Sequence, residues 1–161
     1  MRKSCVLFAA IVLTGLGPAL LSCGTATPTP AAVTWALTVV NGEIEHSFSL
    51  VDLKALPAAE VRYTAKETGQ ENTYQGVRLR DLLVAIGADL ANSEAVEVEA
   101  RDGFMAVYPQ EAALRDTSVL VYGMDDGPLP ASMGSVRMLS PGEGNKFQVK
   151  FVSRLTVKGR E

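Results

Sequence analysis

Hydrophobic residues recur along this chain with two periods, and each period marks a different kind of element. Residues 34–40, Thr-Trp-Ala-Leu-Thr-Val-Val, are rich in β-formers and run into Asn41-Gly42, after which Ile44–Ser49 returns. Asn-Gly between two such runs is the strongest short hairpin signal. Ser49 with Asp52 three residues on gives a capping-box pattern, and Leu50, Leu53 and Leu56 share one side of a short helix that Pro57 stops. A strand is expected over 60–64 and an exposed loop over the polar stretch 65–73. Leu79, Leu82, Leu83 and Ile86 then fall at helical spacing, with Gly87 as a C-terminal cap.

The second half reads mostly as strand. Val96, Val98 and Ala100 alternate with Glu97, Glu99 and Arg101, and Asp102-Gly103 turns this run into residues 104–108, so one face of the hairpin is wet. Pro109 opens one or two helical turns over 110–114. The continuous apolar run 119–122 predicts a buried strand, turned by Asp125-Asp126-Gly127 before Pro128-Leu129-Pro130. Strands over 136–139 and 147–157 complete an α+β domain, predominantly a mixed β-sheet with about three short helices.

The N-terminus belongs to a different class. Arg2 and Lys3 precede an apolar run over 6–21 that Thr14, Gly15, Gly17 and Pro18 interrupt, which suits an export signal better than a membrane span. The run ends in Leu20-Leu21-Ser22-Cys23-Gly24 and resembles a bacterial lipoprotein processing box, with Leu21 a less usual residue at its position. That resemblance implies lipid on Cys23 and a domain exported to the periplasmic or extracellular face of the cell envelope. Residues 1–23 are thus expected to be a signal peptide. Residues 24–32, Gly-Thr-Ala-Thr-Pro-Thr-Pro-Ala-Ala, are expected to be a flexible tether, and 33–161 a single domain.

Cysteine and charge counts then exclude whole classes of chemistry. The two cysteines are Cys5 and Cys23, so the domain has no thiolate ligand and no disulfide, and His46 is its one histidine. A multi-histidine metal site is excluded, and His46, alternating with Ile44 and Phe48, reads as a partly buried strand residue. Loss of Arg2 and Lys3 with the leader takes 15 basic residues to 13 against 18 acidic ones, net −5, which argues against nucleic acid as a partner. The candidate site lies in Ser140-Pro-Gly-Glu-Gly-Asn-Lys-Phe-Gln-Val-Lys-Phe151, read as a glycine-bearing loop running straight into the last strand. Gly142 and Gly144 there allow positive φ and close approach of a ligand, and Lys146 and Lys150 offer cationic donors to an anion.

Several segments in order carry a family resemblance: residues 49–57, then Tyr74-Gln-Gly-Val-Arg-Leu79 with the helix after it, then Glu99-Ala-Arg-Asp-Gly-Phe104. Asp125-Asp-Gly-Pro-Leu-Pro130, Gly134-Ser-Val-Arg-Met-Leu-Ser-Pro-Gly142 and Lys146-Phe-Gln-Val-Lys-Phe-Val152 continue it. Together they resemble the molybdopterin-binding oxidoreductase domain of the sulfite oxidase type over nearly all of 33–157. The resemblance implies a molybdenum held by a pterin dithiolene and a protein cysteine, with cationic side chains and backbone amides on the pterin and its phosphate. By carry-over those cofactor-binding residues would be Arg137, Gly142, Lys146 and Lys150, with Ser140 and Asn145 adding hydrogen bonds.

This chain departs from the pattern at one decisive place. The metal-ligating cysteine should lie shortly before the Tyr74 element, and residues 62–73 contain none; tyrosine and phenylalanine also replace tryptophans at Tyr74 and Phe151. The sequence therefore supports a non-catalytic, lipid-anchored module with no catalytic and no metal-ligating residues, binding a small anionic ligand or an envelope protein. Two alternatives stand beside it. One is a molybdopterin-dependent oxidoreductase with a non-cysteine metal environment, and molybdopterin is the cofactor in question. The other is a carrier that hands cofactor to a membrane partner, with Met105, Met124, Met133 and Met138 forming an apolar docking patch.

Overall fold

The computed structural model describes residues 35–65 and 68–160; the expected leader, Cys23 and the tether lie outside them. Among the described residues ten strands and three short α-helices follow one another, with two single 3₁₀ turns. β1 (Trp35–Asn41) and β2 (Ile44–Ser49) form the hairpin that Asn41-Gly42 encodes, Gly42 taking φ 63°. α1 (Leu50–Ala55) starts on a complete capping box: the Asp52 N–H donates to Ser49 Oγ (3.2 Å), and the Ser49 N–H donates to Asp52 Oδ2 (2.8 Å). The Ser49 hydroxyl and amide hold the Asp52 carboxyl below its ordinary pKa, a charge that suits a helix N-terminus.

β3 (Ala58–Thr64) and β4 (Glu71–Arg78) make a second hairpin leading into α2 (Leu79–Ala85). β5 (Ser93–Ala100) and β6 (Met105–Pro109) precede α3 (Gln110–Ala113), then β7 (Val119–Met124), β8 (Gly127–Pro128), β9 (Arg137–Leu139) and β10 (Val152–Gly159). One sheet has the order β2-β1-β10-β5-β6 and is mixed, because β1 and β10 run parallel while its other neighbours are antiparallel. The second has the order β3-β4-β7-β8, with β9 also on β7.

Alternation along these strands produces two cores. Leu37, Val39, Val98 and Leu155 from the first sheet join Val77 and Leu120 from the second, together with Leu53, Leu79, Leu82 and Leu83 from the helices. The other face of the second sheet carries a smaller cluster of Ala59, Val61, Tyr74, Val119, Val121 and Leu139. Adjacent residues such as Leu120 and Val121 thus serve opposite faces.

Three sequence expectations are corrected. The loop expected over 65–73 ends sooner, since β4 begins at Glu71; its polar residues pair with β3, and periodicity could not separate that from an exposed loop. The last strand begins at Val152, not at 147, because Asn145–Phe147 forms a 3₁₀ turn and Phe151 breaks the extended run with φ 55°. Of the two loop glycines, Gly142 does adopt positive φ (89°), whereas Gly144 sits at −64°.

Gly76 shows where β4 admits no side chain. A Cβ there would stand 2.3 Å from the Leu120 carbonyl oxygen and 2.7 Å from Val121 Cα, at the register shift between β4 and β7. Gly76→Ala is expected to destabilise the domain by about 3 kcal/mol, as overpacking against backbone does. Urea unfolding would measure it, and an unchanged midpoint would show that the two strands can separate at no cost.

Candidate functional site

A cavity of about 370 Å³ opens on the second face of the second sheet. Strand register explains who lines it. Tyr63 pairs with Asn72, Val61 with Tyr74 and Tyr74 with Met124, so Tyr63, Asn72, Tyr74 and Met124 project to one side. Arg137 pairs with Val121 of the same face and enters from β9. Met133, Asn145, Gln148 and Lys150 close the cavity from the connecting segments, and Ala65, Thr68 and Gln70 from the β3–β4 loop.

Arg137 is the cation at its floor and is only 5% exposed. Its guanidinium carbon lies 5.5 Å from the Tyr63 ring centre and 5.7 Å from that of Tyr74. Nη1 donates to Met133 Sδ at 3.4 Å, a weak acceptor, and Nε has no partner. Among the described residues no carboxylate pairs with it, and none lines the cavity. Lys150, exposed at the rim, adds a second positive charge. In a net-acidic chain, this cavity is cationic, with the Arg137 guanidinium in its lining and side-chain amides around it.

The residues around Arg137 are themselves held. The buried Tyr108 of β6 donates its hydroxyl to the Phe147 carbonyl (2.5 Å), and the two rings meet edge to face at 4.8 Å. Burial pushes the Tyr108 hydroxyl pKa far up, so it remains a donor. Ser118 Oγ donates to the Ala112 carbonyl (2.6 Å), so the 2.5 Å contact between the Ser118 and Ser140 hydroxyls has Ser140 as donor. Gln148 binds the backbone of Ser140 twice, accepting from its N–H at 3.2 Å and donating to its carbonyl at 2.8 Å.

The sequence-derived residues separate on this frame. Arg137, Lys150 and Asn145 line the cavity; Ser140 is fully buried beside it with its hydrogen bonds satisfied internally. Lys146 lies outside the cavity lining, with Nζ 4.9 Å from the centre of the adjacent Phe147 ring. Gly142 borders a separate shallow depression with Arg62, Tyr63 and Asn145. Sequence reading missed Tyr63 and Asn72 because it missed β4 and hence its register with β3; the pairing of a Val-x-Tyr run with an Asn-x-Tyr run was the available signal. The methionines form no common patch: Met105 is exposed on β6, Met138 is buried in the main core, and Met124 and Met133 line the cavity. His46 is partly buried on β2, in the other sheet. Among the described residues no three His, Cys, Asp or Glu side chains gather to hold a metal, and the β3–β4 loop presents no thiol.

Comparison with known proteins agrees with this architecture. No curated protein matches the sequence. Among solved structures, the crystal structure of the sulfane dehydrogenase SoxCD from Paracoccus pantotrophus superposes with a TM-score of 0.66 at 19% identity. The match covers 78% of this chain and 38% of that one, so this chain spans well under half of that protein, and the likeness is one of fold. A family model described as the oxidoreductase molybdopterin binding domain matches residues 25–161. That match spans most of the sequence, and the chain belongs to the family of oxidoreductase molybdopterin-binding domains.

Proposed function

We propose that this protein is an exported lipoprotein, anchored through Cys23, whose domain binds an anionic pterin-type ligand and does not carry out metal-centred oxidoreduction. One observation carries the reading: among the described residues no carboxylate pairs with the buried Arg137 guanidinium or lines its cavity, and the domain contains no cysteine.

Molybdopterin is the group the family implies, and the residues present fit it in part. Arg137 places a cation in the cavity lining for a phosphate, Lys150 supplies long-range attraction, and Asn72 and Asn145 offer amide edges to a polar heterocycle. The metal is not provided for. A soft thiolate is the side chain that would ligate and tune it, and the domain has none. The ligand's metal centre is therefore assigned no role in this chain.

Energetics favour an anion at Arg137. Removing a guanidinium from water costs several kcal/mol, and a good buried counterion with hydrogen bonds offsets much of that. Two aromatic contacts return about 0.5–2 kcal/mol each. The remainder is the driving force for an oxyanion. The envelope partner is proposed on the lipid anchor and tether alone, which let the domain reach a neighbouring protein at the membrane surface.

Three measurements test these statements. Protein made in a host that synthesises molybdopterin should carry pterin, read as its fluorescent oxidation product, with less than about a tenth of an equivalent of molybdenum. Arg137→Gln should abolish pterin retention and Lys146→Ala should not; stoichiometric molybdenum would instead establish an oxidoreductase with a non-cysteine metal environment. Ligand-free Arg137→Met should be more stable than the wild type by about 1–3 kcal/mol in urea, as replacement of uncompensated buried charge allows. A loss of stability would mean that the guanidinium is already compensated in the free protein. Labelled palmitate should enter the wild type and not Cys23→Ser, and an unlabelled wild type would refute the anchor.

A further inference from the structure

Phe151 is the residue of this domain whose backbone its own chemistry least explains. Three described residues other than glycine have positive φ, and two of them, Asp125 and Asp126, form the tight turn between β7 and β8, where short polar residues tolerate that conformation. Phe151, at φ 55°, is a bulky aromatic for which it is an outlier. Backbone strain of this kind persists only where the surroundings impose it.

Those surroundings can be named. The Phe151 N–H donates to the Met133 carbonyl (3.0 Å), and the Arg101 N–H donates to the Phe151 carbonyl (3.0 Å). Its neighbours are tied as well: the Met138 N–H donates to the Val149 carbonyl (2.8 Å) and the Val152 N–H to the Val136 carbonyl (3.0 Å). Gly134, at φ 83°, makes room. A Cβ on it would lie 2.8 Å from Phe151 Cα and 2.9 Å from Cδ1 of its ring.

The corner has a consequence for the cavity. Gln148 and Lys150 line the Arg137 cavity, whereas Phe151 and Gly134 border a separate depression on the other side, with Tyr122 and Leu50. One residue later the chain is β10, in the other sheet. Phe151 thus sits where the cavity wall becomes a sheet strand, its ring against Gly134.

We infer that Phe151 is a positioning residue: its left-handed corner, wedged on Gly134, holds the 148–150 segment so that Lys150 faces the anion held by Arg137. This rests on the reading of the cavity as an anion site. A side chain that only filled space at this position would act on stability alone, without coupling to Lys150.

Phe151→Gly separates the two roles, because glycine adopts the corner without strain but removes the wedge. Phenyl phosphate serves as the probe in calorimetry. The variant is expected to keep the wild-type circular dichroism and to bind about tenfold more weakly, with no additional loss when Lys150→Ala is already present. Amides of residues 148–152 should exchange with deuterium at least about tenfold faster, while those of β5 and β7 do not change. Additive effects of the two substitutions, or unchanged exchange, would overturn the inference. Should the wild type bind no phenyl phosphate, the anion-site reading fails by itself and the exchange result alone decides whether Phe151 holds the segment. If the glycine variant does not fold, Phe151→Asn, which also tolerates the left-handed region, replaces it in both measurements.

Discussion

A positive charge kept from water, with no carboxylate paired to it among the described residues, is the constraint around which the second face of this domain is arranged. Arg137 sits between Tyr63 and Tyr74, against a methionine sulfur, on a strand only three residues long. Tyrosine faces and a thioether tolerate a guanidinium better than aliphatic carbon does, yet they give Nη1 only a weak acceptor and leave Nε without a partner. The arrangement is poor as a stabilising contact and well suited to recognition, since the energy withheld from folding becomes available to a ligand.

Precision in that arrangement comes from hydrogen bonds made behind the lining. Tyr108 of β6 fixes the Phe147 carbonyl, Ser118 and Gln148 fix Ser140 from two sides, and the cavity-lining Asn145 opens, and Gln148 follows, the 3₁₀ turn that these contacts immobilise. All of these bonds are buried or partly buried, where a broken partner leaves a desolvated group unsatisfied. Asn145 and Gln148 are therefore positioned by residues that themselves stay out of the cavity. Arg115 and Glu143 add an ion pair on the outside of the same loop.

Much of the fold was legible because its signals are local. Asn41-Gly42, the Ser49–Asp52 box and the Leu79–Ile86 spacing each specify an element within a few residues, and each forms where expected. β4 escaped because Glu71-Asn72-Thr73 is polar and becomes strand only through pairing with β3, a contact that no window along the chain contains. The site suffered from the same blindness. Arg137 and Lys150 could be placed by order along the chain, but Tyr63 and Asn72 reach the cavity through strand register, and Lys146 is directed elsewhere by a turn that reads like the start of a strand.

The missing thiolate and the unpaired arginine point the same way when taken together. A domain serving only as a scaffold would gain stability by replacing Arg137 with an apolar residue, because the tyrosines and Met133 already form an apolar surround. A domain serving as a molybdenum oxidoreductase of the expected type would need a thiolate in the loop before Tyr74, where Ala65, Thr68 and Gln70 instead line the cavity. What the described residues supply is a cationic anchor with amide edges and no cluster of three metal-ligating side chains. Under the proposed reading of the cavity as a site for an anionic ligand, Lys150 at the open rim meets that ligand before Arg137 does, because its charge remains in contact with solvent.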